Sequence, residues 1–210
     1  MSIKDIWPTK ILISNIDGID NTLIAEFILS NIELLNITFV PGWDSNTQST
    51  FGSPEGRCIL NGHLEAPIPV QREFDKITKG MLDAIYTEYL PSLGDHTVSN
   101  PVVLLEESFI NVATPGSFQE FHQHLITDIS CVYYIQAEKG MGDLVLDNFH
   151  HNISKNLNPT FLSRYIIPAN TGGLRMFMST VPHQANINES NQPRISIACN
   201  FLVEESNNEN

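Results

Sequence analysis

The feature that most limits how this chain can fold is the change of rhythm after Asn100. Beyond it, eight short runs alternate like strands: residues 102–113, 118–125, 129–136, 143–147, 161–167, 174–178, 183–187 and 193–203. Turn-forming stretches separate them, among them Pro115-Gly116, Gly140-Met141-Gly142 and Asn170-Thr171-Gly172-Gly173. The first hundred residues read differently. Residues 10–16 form a first strand, after which Asp20 or Asn21 caps a helix running to about Leu35. Residues 71–90 give the clearest helix, with Phe74, Ile77, Met81, Leu82, Ile85 and Tyr86 on one stripe and Pro91 ending it. Helices first and antiparallel strands after predict an α+β domain whose sheets form a jelly-roll, cupin-like barrel. Residues 1–210 are expected to form one domain, with 1–100 as mostly helical support and loop and 101–204 as the jelly-roll core.

The last run shows which face carries chemistry. Ile195, Ile197, Cys199 and Phe201 make an ordinary core face, able to receive the two amphipathic helices on one sheet. Arg194, Ser196, Ala198 and Asn200 fall on the other side. That face is too polar for a core and too weakly charged for open surface, so it fits the lining of a wet pocket in the barrel mouth.

His122 and His124 stand two positions apart in a strand-like run, so their imidazoles are expected on one face. Each neutral imidazole offers a lone pair to a metal. A third histidine, His183, begins a later run, and Arg194 follows eleven residues on. A redox metal site needs few protein ligands, leaving positions open for substrate and oxygen. Three imidazoles leave Fe(II) its full charge and favour an anionic chelator such as 2-oxoglutarate. Arg194, with the Ser196 hydroxyl beside it, is the candidate partner for that molecule's distal carboxylate, since a guanidinium binds carboxylates in a bidentate way that lysine cannot copy. Asp128 is the alternative to His124 as third ligand. His63, His96, His150 and His151 read as solvated loop residues.

Composition narrows the classes of partner. A formal net charge of -13 argues against nucleic acid and anionic membranes, both of which need clustered Lys and Arg. Cys58, Cys131 and Cys199 lack paired spacing, and the chain shows neither a signal peptide nor a membrane-length apolar run, which together predict a cytoplasmic setting. Residues 41–62 turn to Gly, Ser, Asn, Thr and Pro, a long loop of the kind that is often functional. Its Trp43 either anchors the loop to the core or walls the substrate entrance.

These residues resemble the Fe(II)- and 2-oxoglutarate-dependent oxygenases, and more narrowly a bacterial and phage group of oxygenases related to the prolyl hydroxylases. The segments that carry the resemblance are PGWDS (41–45), SFINV (108–112), HQHLITDISCVYYI (122–135), MFMSTVPHQ (176–184) and RISIACNF (194–201). It implies a double-stranded β-helix with His122, His183 and His124 as iron ligands. Arg194 and Ser196 would bind 2-oxoglutarate in an R-x-S pattern, Tyr134 would contact it from its strand, and Asn111 would line the site. The wider superfamily usually carries H-x-D or H-x-E where this chain has His124, and the narrower group carries Trp where it has Phe109.

The implied activity is hydroxylation by a non-haem iron dioxygenase, with Fe(II), 2-oxoglutarate and dioxygen as cofactor and cosubstrates. A prolyl, other peptidyl or amino-acid side chain, in a peptide or a small molecule, is the expected substrate, and a homodimer is compatible with the sequence. The loop 41–62 and the connection 148–159 are candidate lids. Two rival readings differ in what they require. A cupin-type metal dioxygenase, suggested by Gly116, His122, His124 and Asp128, has no need of Arg194. A non-catalytic jelly-roll binding module needs no metal.

Overall fold

The computed structural model describes residues 9–43, 45–60, 65–94, 97–147 and 164–206. Asp44, His63, His96, His150, His151 and the candidate lid 148–159 therefore lie outside the described residues. None of the described helices is long and apolar enough to cross a membrane.

Two antiparallel sheets form the body of the protein. The strands are β1 (Ile11–Asn15), β2 (Thr38–Phe39), β3 (Gln48–Ser49), β4 (Pro101–Ala113), β5 (Gln119–His122), β6 (Ile129–Gln136), β7 (Leu144–Asp147), β8 (Arg164–Ile167), β9 (Gly173–Met178), β10 (His183–Ala185) and β11 (Arg194–Glu205). Among the described residues, the larger sheet has the order β1-β9-β6-β11-β4-β3-β2 and the smaller β5-β10-β7-β8. This is the double-stranded β-helix. Three strands of the larger sheet come from the first hundred residues, so that part of the chain does more than supply helices.

The alternation of β11 decides where the layers lie. Ile195, Ile197, Cys199 and Phe201 are fully buried in the main core together with Phe74, Ile77, Met81 and Ile85 of the long helix. Each such side chain contributes roughly 1.5–3 kcal/mol by leaving water. The helices thus cover one face of the larger sheet, and its other face is left to form a cavity with the smaller sheet.

Both helices differ from their expected bounds. The first, α1 (Asn21–Ser30), is capped by Asp20, whose side chain accepts from the Leu23 amide at 3.0 Å. It stops five residues before Leu35 because Asn31 turns back, its side-chain amide donating to the Phe27 carbonyl at 2.7 Å. Asn36, at φ 51, then reverses the chain. The second, α2 (Ile68–Ala84), passes into a π turn at Ile85–Tyr89 and a last α turn, α3 (Leu90–Leu93). Pro91 does not end the helix. It sits in the first turn of α3, where a missing N–H is tolerated, and Gly94 at φ 59 makes the stop. The wider turn also rotates the stripe, so Tyr89 is buried at 1 % while Tyr86 is 44 % exposed.

The run expected over 118–125 is cut to β5. The chain leaves the sheet after His122, and Leu125 and Ile126 are exposed at 73 % and 78 %. Within the loop 41–62 the chain is more regular than its composition suggests. Strand β3 pairs with β4, and short 3-10 turns occupy Thr50–Gly52 and Glu55–Arg57. Ser49 Oγ donates to the Ile110 carbonyl at 3.0 Å, which fastens the loop to the sheet.

Candidate metal centre

His122 and His183 are brought together by strand pairing. They are register partners of β5 and β10, and their rings lie 4.2 Å apart. His124 lies beyond the end of β5 but is still held firmly. Its amide donates to the Ser179 carbonyl at 2.9 Å, and Ser179 donates its own amide to the Asp128 carbonyl at 2.9 Å. Below it a buried polar network runs from Thr127 Oγ1 to Ser179 Oγ (3.0 Å), on to Ser130 Oγ (2.9 Å), and from Ser130 to Asn200 Oδ1 (2.8 Å). The His124 ring therefore stands 5.3 Å from both other imidazoles.

The three possible ligand atoms all lie within 4.8 Å of one another. Nδ1 of His122 faces the Glu120 carbonyl at 2.9 Å, and Nδ1 of His183 faces the Val181 carbonyl at 2.9 Å. A carbonyl can only accept, so each Nδ1 carries the proton and each Nε2 presents its lone pair to the common centre. Burial favours the neutral rings. It lowers His122 below the ordinary imidazole value, against the pull of the Glu120 carbonyl, and pushes His124 down to about 4 with help from His122. Burial, followed by the charge of His122, holds His183 well below the usual range. Three neutral nitrogen donors on one cavity wall are a set that could hold a metal ion.

Asp128 takes no part in this group. Its carboxylate accepts from the Val203 amide at 2.8 Å, tying the turn after His124 to the end of β11. The carboxylate alternative fails because the turn carries Asp128 away from the centre.

The polar face of β11 does line the cavity. Arg194, Ser196, Ala198 and Asn200 border it, as do Asn111, Tyr134 and all three histidines. Arg194 is 4 % exposed. Its Nη1 donates to the Met141 and Gly142 carbonyls at 3.2 and 2.6 Å, which fixes the guanidinium plane. Desolvation lowers its pKa, opposed by nearby Tyr134 and Asp143. Burial raises the Tyr134 phenol, and the Arg194 and Arg175 charges oppose that rise. The Asn111 side-chain oxygen is buried without a hydrogen-bond partner.

Beside the inner cavity a wider cleft of about 300 Å³ opens past His122 and His124 to Trp43, Phe51, Gln119 and Phe121. The Trp43 ring packs 4.9 Å from Phe51 and 6.3 Å from Phe109. Trp43 thus pins the loop to the core, and it also borders the cleft. Phe109 joins the same aromatic group, 4.9 Å from Phe51. Sequence reasoning passed over Gln119, Thr47 and Phe177, which also border the inner cavity. Gln119 gave no signal, since in an unbroken alternation it would face away from His122.

Comparison with known proteins agrees with this geometry. Residues 107–200 match the family described as "Putative 2OG-Fe(II) oxygenase". That span contains His122, His124, His183, Arg194, Ser196, Tyr134 and Asn111. The jelly-roll segment is accordingly that of the Fe(II)/2-oxoglutarate oxygenases, an enzyme family, as the H-x-H, His and Arg pattern had suggested. No curated protein matches the chain.

Solved structures similar to it include a prolyl-4-hydroxylase from Pseudomonas putida, at 13% identity over 91% of each chain with a TM-score of 0.54. A Trichoplax adhaerens prolyl hydroxylase, in complex with a hypoxia inducible factor oxygen degradation domain peptide, is 12% identical over 91% of this chain and 83% of its own, with a TM-score of 0.56. HygX from Streptomyces hygroscopicus, with nickel and 2-oxoglutarate bound, is 14% identical over 92% of this chain and 82% of its own, with a TM-score of 0.53. At such identities the likeness is one of fold.

Proposed function

We propose that this protein is an Fe(II)- and 2-oxoglutarate-dependent dioxygenase that hydroxylates a side chain or small molecule reaching it through the Trp43 cleft. The observation that carries this reading is the placement of Arg194 in the same cavity as three ligand atoms within 4.8 Å of one another. The residues suit the implied metal. His122, His124 and His183 supply neutral nitrogen donors, and no carboxylate among the described residues joins their cluster. Iron and 2-oxoglutarate, when bound there, would supply the oxidising power, with dioxygen consumed and succinate and carbon dioxide released.

The protein's own residues bind, orient and exclude water. With Nη1 occupied by two carbonyls, Arg194 offers its remaining N–H groups to a carboxylate, in a buried setting where such a contact is strong. Ser196 and Tyr134 offer hydroxyls from the same wall, and Asn111 an amide. Arg194, Ser196, Tyr134 and Asn111 border the inner cavity together, so a carboxylate held by Arg194 would have its orientation set by the hydroxyl and amide groups around it. The aromatic wall of the outer cleft restricts water at the entrance.

The test is anaerobic titration of the Fe(II) protein with 2-oxoglutarate, watching for a weak visible charge-transfer band. Arg194→Ala should keep metal binding and lose the band at the same cosubstrate concentration. Unchanged 2-oxoglutarate affinity in that variant removes Arg194 from its assigned role. A search for products carrying one added oxygen, formed only with 2-oxoglutarate, then identifies the substrate. Oxygen uptake without any need for 2-oxoglutarate points instead to the cupin-type alternative.

A further inference from the structure

Strand β5 contains an irregularity that changes which side chains reach the metal centre. Its partner β10 places His183 opposite His122 and Ala185 opposite Gln119. Two steps on β10 thus match three on β5, so β5 carries one extra residue, a bulge. In a regular strand, residues three apart point to opposite faces. The bulge cancels that opposition and brings Gln119 to the face of His122. Glu120, inside the bulge, supplies the carbonyl that holds His122 Nδ1. The same irregularity sets the tautomer of a candidate ligand and aims Gln119 at it.

The Gln119 backbone is fixed on both sides, by Ala185 of β10 and by a bridge to Ser45. Its side-chain amide nitrogen lies 3.5 Å from His122 Nε2. It borders both the inner cavity and the outer cleft. Because Nδ1 of His122 is engaged, Nε2 is the nitrogen left for a metal. Metal binding consumes that lone pair, and the Gln119 N–H groups lose their acceptor. A small ligand bound to the metal beside His122 would offer them a new acceptor. Ligands of a divalent cation bind through lone pairs, and so they accept hydrogen bonds.

The geometry points to Gln119 as a positioning residue that donates a hydrogen bond to the small oxygen- or nitrogen-donor ligand completing the metal's coordination beside His122. The inference rests on the metal reading given above and assigns this chain a polar contact at the boundary between its two cavities. The site is expected to take small anions readily, because three neutral imidazoles leave the metal's charge uncompensated.

The experiment uses the full chain loaded with Co(II), with azide as the probe and the cobalt visible spectrum as the readout. Gln119→Leu should leave Co(II) affinity within about twofold and weaken azide by about tenfold or more, the loss expected for one hydrogen bond to a charged group. Unchanged azide affinity in Gln119→Leu overturns the inference. So does tighter Co(II) binding with azide unaffected, which makes Gln119 merely a competitor for His122. Gln119→Glu is an independent check that needs no cavity to be refilled. A carboxylate at this distance should tighten Co(II) by about tenfold or more, and an unaltered Co(II) affinity overturns the placement. A wild-type protein that takes up no Co(II) fails at an earlier step and sinks the metal reading itself.

Discussion

Arg194 rests against a position that only glycine can fill. Its Nη1 donates to the Gly142 carbonyl at 2.6 Å, and a Cβ on Gly142 would stand 2.6 Å from that same nitrogen and 2.2 Å from the Asn186 carbonyl oxygen. Gly142 also holds φ +93, a conformation that strains other residues. The turn between β6 and β7 therefore acts as the seat of the guanidinium.

Gly142→Ala should consequently damage stability and site together. Backbone strain and overpacking predict a loss of about 2–4 kcal/mol in urea unfolding. Because the seat moves, 2-oxoglutarate affinity of the folded fraction should fall as well. A variant with wild-type midpoint and wild-type cosubstrate binding would contradict the close approach.

The three imidazoles are held by different means, and their substitutions should differ accordingly. His183 is 6 % exposed and locked in a strand, so His183→Ala should abolish Fe(II) binding measured anaerobically by calorimetry. His124 lies outside the strand on the loop tied to Ser179. His124→Asp supplies the carboxylate common in related sites and should retain Fe(II) affinity within about tenfold of wild type. Loss of all binding in His124→Asp would show that this loop cannot bring a shorter ligand to the centre.

Much of this was legible in the chain because alternation on β11 is strict. Ile195 to Phe201 sort cleanly into a core face and a cavity face, and the structure keeps them so. Register carried His122 opposite His183, something no local pattern states, yet the spacing of the site residues pointed to it. What stayed hidden depends on irregular backbone. The bulge at Glu120 gives no compositional sign, so Gln119 was invisible. The π turn at Ile85–Tyr89 exchanged Tyr86 for Tyr89 in the core, and the Asn31 side chain ended α1 where periodicity ran on. Local hydrogen bonds overrode a correct apolar rhythm in each case.

Trp43 offers a separation of packing from function. The ring is only half-buried, so Trp43→Ala should cost about 1–2 kcal/mol, less than a fully buried aromatic. Phe51 lies between Trp43 and Phe109, and Phe51→Ala should cost more. Metal binding should survive Trp43→Ala, while turnover of any identified substrate should fall through KM. A change in metal affinity instead would mean that the loop 41–62 supports the histidines directly.

The metal-free protein should lose stability on mild acidification, in a window set by its imidazoles. Burial pushes His124 from 6.5 down to about 4 and holds His122 and His183 low as well. In the unfolded chain these rings take up protons near the ordinary value of 6.5, whereas the folded chain resists until the pH is lower. Between those limits the unfolded state binds more protons, so unfolding becomes easier as pH falls. The contribution of His124 is thus fully present above about pH 6.5 and progressively lost toward about pH 4. Urea midpoints at about pH 7.5 and about pH 5 should drop more for wild type than for His124→Ala, which no longer has this ring to protonate. Equal drops would mean that the His124 imidazole is solvated enough to titrate normally, and that its burial beside His122 has been overstated.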